Sequence, residues 1–216
     1  MASARDIVYA ALRRKLMSGV FAPGERLREE HIAAEMAVSR TPVRSAIQKL
    51  VADGLLKNEE NKGAVVLGWT DRDITEAFEV RSLLEPYAAG IAAVNATQAQ
   101  IDQLESLNDE MERAVRSDLP DRIELVQNLN NQFHHTLVQA SHSGRVKALV
   151  ENFIDMPIMI GSFYFYSTEN MLTSVEQHRQ IILALKARDR QFAEVAARFH
   201  LAATHVLFQN QRAKFK

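Results

Sequence analysis

Residues that break or redirect a polypeptide are scarce in this chain and crowded toward one end. Its 216 residues include only 8 Gly and 5 Pro, and more than half of these stand among the first 70. Glycine supplies left-handed turns and proline ends helices, so the rest of the chain has few places to turn. It is therefore expected to run in long helices. Collagen-like and turn-rich all-β folds are excluded. With 47% apolar and 25% charged residues, the chain has the material for a buried core. The expected fold class is mainly α: a small turn-containing N-terminal unit, then an all-α helical bundle.

Charge divides the chain at the same place. Residues 1–70 carry 11 Lys/Arg against 8 Asp/Glu, and residues 71–216 carry 15 against 19. A basic unit over 1–69 thus precedes an acidic one over 70–216, with the boundary near Gly68–Asp71. The absence of Cys excludes disulfides, thiolate nucleophiles, iron–sulfur clusters and Cys-ligated zinc. Met1 is not followed by a basic flank and an apolar stretch, so no signal peptide is read. The longest apolar run, Phe153–Tyr166, is shorter than a bilayer span and contains Asp155 and Pro157. A cytoplasmic protein with no membrane partner is expected.

In the basic unit, Ile7, Val8, Ala11, Leu12 and Leu16 share one helical face. Phe21-Ala22-Pro23-Gly24 is a turn, and a short helix follows over about 29–36. Next, Ser39 or Thr41 can cap a helix whose first turn accepts Pro42 and which Gly54 ends. Val43, Ala46, Ile47 and Leu50 form its apolar face. Thr41, Arg44, Ser45 and Gln48 lie on another face, at i, i+3, i+4 and i+7. A short helix, a tight turn and a helix with a polar, Arg-bearing stripe make a helix-turn-helix. Such a stripe reaches base edges, Arg to guanine and Gln to adenine, while Arg40 and the helix N-terminus suit phosphate. Leu55-Leu56-Lys57 and Ala64-Val65-Val66-Leu67 flank the turn Asn61-Lys62-Gly63, so a two-stranded wing with Lys62 at its tip is expected.

Pro23-Gly24-Glu25-Arg26-Leu27, Val38-Ser39-Arg40-Thr41-Pro42-Val43-Arg44 and Leu50 with Asp53-Gly54-Leu55 resemble the winged helix-turn-helix of the GntR family of bacterial repressors. The resemblance spans about residues 5–68. It implies contact with a double-stranded DNA operator by Arg40, Thr41, Arg44 and the wing at Lys62 and Gly63. It also implies a homodimer on an inverted repeat. Ser45 stands where the family often has Glu.

The acidic unit reads as successive helices. Thr70-Asp71-Arg72-Asp73 is a capping box with an acid at its third position, and Thr97-x-x-Gln100 is a second. Pro86 is expected to kink or split the first of these helices. Asp118–Asp121 is a break, a third helix runs over 122–140, Ser174 opens another, and Asp189 caps the last. Three of the six His in this unit stand on inward stripes. His134 lies one turn after Asn130, His178 shares a face with Ile181, Ile182 and Leu185, and His200 lies with Ala193, Ala197 and Thr204. Neutral imidazoles suit divalent transition metals, Zn, Ni or Mn here, and three of them with open positions can also admit a water or a substrate carboxylate. His31, His135, His142 and His205 are read as ordinary surface or core histidines.

Arg81-x-x-Leu84-Glu85, Asn130-x-x-Phe133-His134, Glu176-Gln177-His178-Arg179, Asp189 and His200 resemble the FCD ligand domain of the FadR branch of that family, over about residues 72–210. The resemblance implies a metal site at Asn130, His134, His178 and His200 that anchors a small carboxylate effector. Asn130 replaces the Asp common in relatives. Arg81 is a second candidate anchor for the effector, or an i+4 partner of Glu85. The function expected is a metabolite-responsive transcriptional regulator. The alternative is a metal-dependent hydrolase built on a three-His centre, against which no carboxylate stands beside the ligands in sequence.

Overall fold

The computed structural model describes residues 3–17, 20–59, 63–68, 70–154, 163 and 166–213. Two compact units divide them, one reaching to Asp73 and the other spanning Ile74–Gln211.

The first unit begins with α1 (Ala4–Met17), which carries Asp6 in its first turn and Arg14 and Lys15 in its last, the charge order that opposes the helix dipole. Its buried residues Val8, Leu12 and Leu16 face α3 (Arg40–Ala52), which buries Val43, Ala46, Ile47 and Leu50. The Tyr9 hydroxyl donates to Asp53 Oδ2 at 2.6 Å and accepts from Arg13 Nη1 at 2.8 Å, tying α1 to the end of α3. Between them lies α2 (Glu29–Glu35), which buries Ile32 and Ala33.

The turn from α2 to α3 closes with paired backbone bonds. Val38 N–H reaches Ala33 at 3.0 Å and Ala37 N–H reaches Ala34 at 3.3 Å, with Ala37 at φ 53°. Ser39 holds the N-cap position of α3, although its side chain makes no capping bond. At the other end, Gly54 at φ 70° lets Leu55 N–H reach Leu50 at 3.0 Å, as a stop at Gly54 requires.

The wing is an antiparallel pair, β2 (Leu56–Glu59) and β3 (Gly63–Val66), with Leu56 opposite Val66 and Glu59 opposite Gly63. A third strand not expected from the sequence, β1 (Arg26–Leu27), pairs with the other edge of β3. At two residues it is too short to show alternation.

The second unit contains α4 (Asp71–Asn95), α5 (Gln98–Val115), α6 (Arg122–Ala140), α7 (Gly144–Ile154), α8 (Thr168–Lys186) and α9 (Arg190–Ala213). Both expected capping boxes form. Asp73 N–H donates to Thr70 Oγ1 at 3.1 Å while Thr70 N–H donates to Asp73 Oδ2 at 2.7 Å, and Thr97 and Gln100 do the same for α5. Asp189 accepts from Phe192 N–H at the start of α9.

Two expectations are corrected. Pro86 does not split the first helix, because α4 runs unbroken through it. Proline leaves the carbonyl four residues earlier without its helical donor, and Arg198 Nη1 from α9 donates to that carbonyl, of Ser82, at 3.3 Å. α8 starts before Ser174, with Ser167 as its cap. Ser167 and Asn170 form the capping box, an Asn standing where Glu or Gln is usual.

The bundle core joins Ala89, Ala92 and Ala93 of α4 to Phe133 and Leu137 of α6, Ile181 and Leu185 of α8, and Ala193 and Ala197 of α9. Small residues on α4 let the helices approach closely. Phe163 and Tyr166 of the apolar run are buried, whereas residues 155–162 and 164–165 lie outside the described residues. Among the described residues no helix is long and apolar enough to cross a membrane.

Candidate metal centre and nucleic-acid interface

The buried stripes of α6, α8 and α9 bring His134, His178 and His200 together. One ring nitrogen of each lies within 4.8 Å of the other two, and all three residues are buried. Their ring centroids are 5.3 Å (134–178), 5.3 Å (134–200) and 4.7 Å (178–200) apart. Phe133 stacks flat on His178 at 4.0 Å and fixes that ring's plane.

Each imidazole is held through Nδ1. His134 Nδ1 lies 2.8 Å from Glu85 Oε2, His178 Nδ1 lies 3.1 Å from Asn108 Oδ1, and His200 Nδ1 lies 2.9 Å from Gln177 Oε1. All three partners are oxygen acceptors, so the proton sits on Nδ1 and the Nε2 lone pair is left for another group. His178 Nε2 is buried with no hydrogen-bond partner among the described residues. An orphaned acceptor of this kind is costly unless something binds it. Three imidazoles, each oriented by a hydrogen bond behind it, make the kind of donor set that a divalent metal site uses.

The electrostatics keep two of the rings neutral. Burial, followed by the neighbouring His200 and His134, pushes His178 well below the usual histidine range. Burial, then His134, does the same for His200. Burial opposes a charge on Glu85, yet Arg81 and His134 outweigh it and hold its carboxyl below the usual range.

Glu85, Asn108 and Gln177 are the functional residues that the sequence did not single out as such. Each left a trace: Glu85 one turn from Arg81, Asn108 on the apolar stripe of α5, Gln177 beside His178. A carboxylate stands near these histidines in space, although none stands beside them in sequence. Glu85 is committed to His134 and Arg81, so it orients and balances charge. Arg81 is buried and joins the histidines through Glu85, forming the i+4 pair. Asn130 is half-buried on α6, one turn before His134. The other histidines lie elsewhere: His135 faces Glu151, His142 occupies the left-handed turn after α6, and His205 stacks on Phe78 at 4.5 Å.

In the first unit, Arg40, Thr41, Arg44 and Gln48 are exposed on α3 and Ser45 is half-buried, so the polar stripe faces outward. Gly63 is exposed at φ 75°, a conformation that favours glycine at the wing turn. Lys62 lies outside the described residues. The two arginines are not isolated: Glu29 of α2 pairs with both, and Glu30 pairs with Arg40. The Glu29 carboxyl is held below its ordinary range, chiefly by its hydrogen bonds to Arg44.

A three-helix unit with a wing and an outward polar stripe, followed by a bundle with an imidazole-lined centre, defines a winged-helix transcriptional regulator. Comparison with known families matches residues 4–66 to the bacterial regulatory proteins of the gntR family and residues 76–203 to the FCD domain. The chain belongs to the GntR family of transcriptional regulators, with an FCD domain. It is 30% identical to the HTH-type transcriptional regulator YdhC of Bacillus subtilis, over 92% of this chain and 88% of that one. It is 30% identical to the gluconate operon transcriptional repressor of the same organism, over 83% and 74%. It is 31% identical to the HTH-type transcriptional repressor RspR of Escherichia coli, over 90% and 84%. The solved structure of Escherichia coli McbR/YncC shares the fold, with a TM-score of 0.62 at 22% identity over 98% of this chain and 99% of that one. The family and these relatives are regulators, not enzymes.

Proposed function

We propose that this regulator is a repressor that binds an inverted-repeat operator as a homodimer and changes its DNA affinity when a small organic acid enters the bundle. The observation that carries this reading is the convergence of three Nδ1-anchored imidazoles, one with an orphaned Nε2, in the centre of an FCD domain. His134, His178 and His200 would hold a divalent transition metal, with Asn130 as a neutral fourth donor. Imidazole donors favour Zn or Ni over Mn. Bound there, the metal would supply a Lewis-acid anchor for a carboxylate. Arg81 uses its Nε toward Glu85 and retains other N–H donors to orient an anion. A relative named for a gluconate operon makes sugar acids the first ligands to test.

On the DNA side, Arg44, Thr41, Ser45 and Gln48 would face base edges, and Arg40, Lys62 and Gly63 the backbone. A face of the second unit supports pairing with a second copy. Leu83, Tyr87 and Val94 of α4 and Val195, Phe199 and Val206 of α9 are exposed at helical spacing on two helices that touch through Arg198–Ser82 and Arg190–Tyr87. An effector shifts DNA affinity only through its preference for one arrangement of the dimer, typically about 1–3 kcal/mol of coupling.

Elemental analysis with native mass spectrometry, on protein purified without added metal, tests the centre. One equivalent of metal per chain is expected, with its loss in His134→Ala. Equal metal content in the two proteins would remove the site. Gel-shift titration on the protein's own promoter region tests the interface. Arg44→Ala is expected to weaken specific binding by about 1–3 kcal/mol.

A further inference from the structure

Arg44 and Glu29 meet side-on. Arg44 Nε donates to Glu29 Oε1 at 3.0 Å and Nη2 donates to Oε2 at 2.9 Å. The same Oε2 accepts from Arg40 Nη2 at 3.3 Å, and Arg40 Nη1 lies 3.0 Å from Glu30 Oε1. The Glu29 side chain is 24% exposed and that of Arg44 is 59% exposed, so the carboxylate sits against the protein and the guanidinium projects beyond it.

This geometry has two consequences. A guanidinium has five N–H donors. The side-on pair takes one on Nε and one on Nη2, and leaves the Nη1–Nη2 end, the edge that forks onto guanine O6 and N7. The pair also offsets the charge of Arg44. A phosphate contact depends on that charge and on counterion release, whereas a base contact depends on a fixed direction.

We propose that Glu29 is a specificity-determining positioning residue: it holds Arg44 by its inner edge, aims its outer edge at a guanine, and reduces its attraction for phosphate of any sequence. This inference rests on the reading of α3 as the DNA-contacting helix. Glu29 acts through Arg44 and not by touching DNA itself. A helix held this way gives up general affinity for duplex and gains discrimination among sequences.

The experiment uses the full chain and a duplex selected by the parent protein from a random-sequence library, with a scrambled duplex as reference. Affinities of parent, Glu29→Ala, Glu29→Gln, Arg44→Ala and the Glu29→Ala/Arg44→Ala double variant are measured by fluorescence anisotropy across a salt series. In Glu29→Ala the selected-over-scrambled ratio is expected to fall about tenfold. The salt slope on scrambled duplex is expected to steepen by about one, because a paired arginine becomes available to phosphate. Glu29→Gln, which keeps an acceptor without the charge, is expected to show the same steepening and a smaller loss of discrimination. In the Arg44→Ala background, Glu29→Ala is expected to add no further loss of discrimination.

An unchanged ratio in Glu29→Ala overturns the proposal. So does tighter binding by the same factor on both duplexes, which would make Glu29 a simple electrostatic brake. So does a loss confined to a cytosine position that persists without Arg44, which would make Glu29 a base reader. Failure of the parent to select any sequence sinks the DNA reading itself and is distinct from these outcomes. Thermal melting of each variant separates folding defects from recognition.

Discussion

Ala37 carries its Cβ in the left-handed region, at φ 53°, where an L side chain crowds its own backbone. It does so because the α2–α3 turn closes there and the sequence offers no glycine. His142 and Arg188 end α6 and α8 at φ 55° in the same way. Ala37→Gly removes the crowding at the cost of a more flexible unfolded chain. A net gain of about 0.5–1 kcal/mol in the stability of the first unit is expected from the balance of these terms. Urea unfolding monitored at that unit checks it, and a loss of stability would show that the turn is unstrained. At this scale the sequence displayed the three histidines that converge, because histidines on otherwise apolar stripes are conspicuous. It hid the groups behind them. The traces left by Glu85, Asn108 and Gln177 do not say what those residues hold, and only the packing of α4, α5 and α8 shows that their oxygens reach Nδ1.

Elements were legible where a cap announced them. Thr97 with Gln100, Thr70 with Asp73, and Asp189 each open a helix as read. Where the cap was unusual, with Asn170 in place of Glu or Gln, the start of α8 was read seven residues late. Pro86 does not split α4, because its compensation comes from outside its own helix. β1 was missed because its pairing is entirely non-local.

The Thr70–Asp73 box also makes a pH prediction. Hydrogen bonds from the Thr70 side chain and backbone hold the Asp73 carboxyl below its usual 3.8. The folded value is depressed, so the stabilisation is present above the unfolded pKa and is lost as pH falls through the folded one. Carboxyl titration by NMR should place Asp73 below 3.8, and Thr70→Val should raise it. An unshifted midpoint would mean that the box does not form in solution.

For the whole molecule, the unequal distribution of glycine, proline and charge made the two-unit organisation visible before any fold was drawn. The exposed faces of α4 and α9 were not visible in that way, because only the folded bundle shows that Leu83, Tyr87 and Phe199 lie on the side left unfilled. Six apolar side chains roughly half or more exposed amount to roughly 600–700 Å², near the ~800 Å² that each partner contributes to a stable interface. Phe199→Asp places a charge in the middle of that face. The expected outcome in sedimentation velocity is a shift from dimer to monomer with helical content unchanged, together with weaker operator binding. A variant that still sediments as a dimer would move the interface elsewhere.

The bond from Arg198 to Ser82 gives α4 an external crosspiece at its weakest rung. Arg198 stands two residues before His200 on α9, and Ser82 stands next to Arg81 and three before Glu85 on α4, so the rung and the imidazole cluster draw on the same two helices. Arg198→Leu would leave the Ser82 oxygen to water and let α4 bend at midlength. Faster deuterium uptake confined to residues 82–90 is the expected trace, and it would identify a joint in the helix that follows the winged unit in the chain.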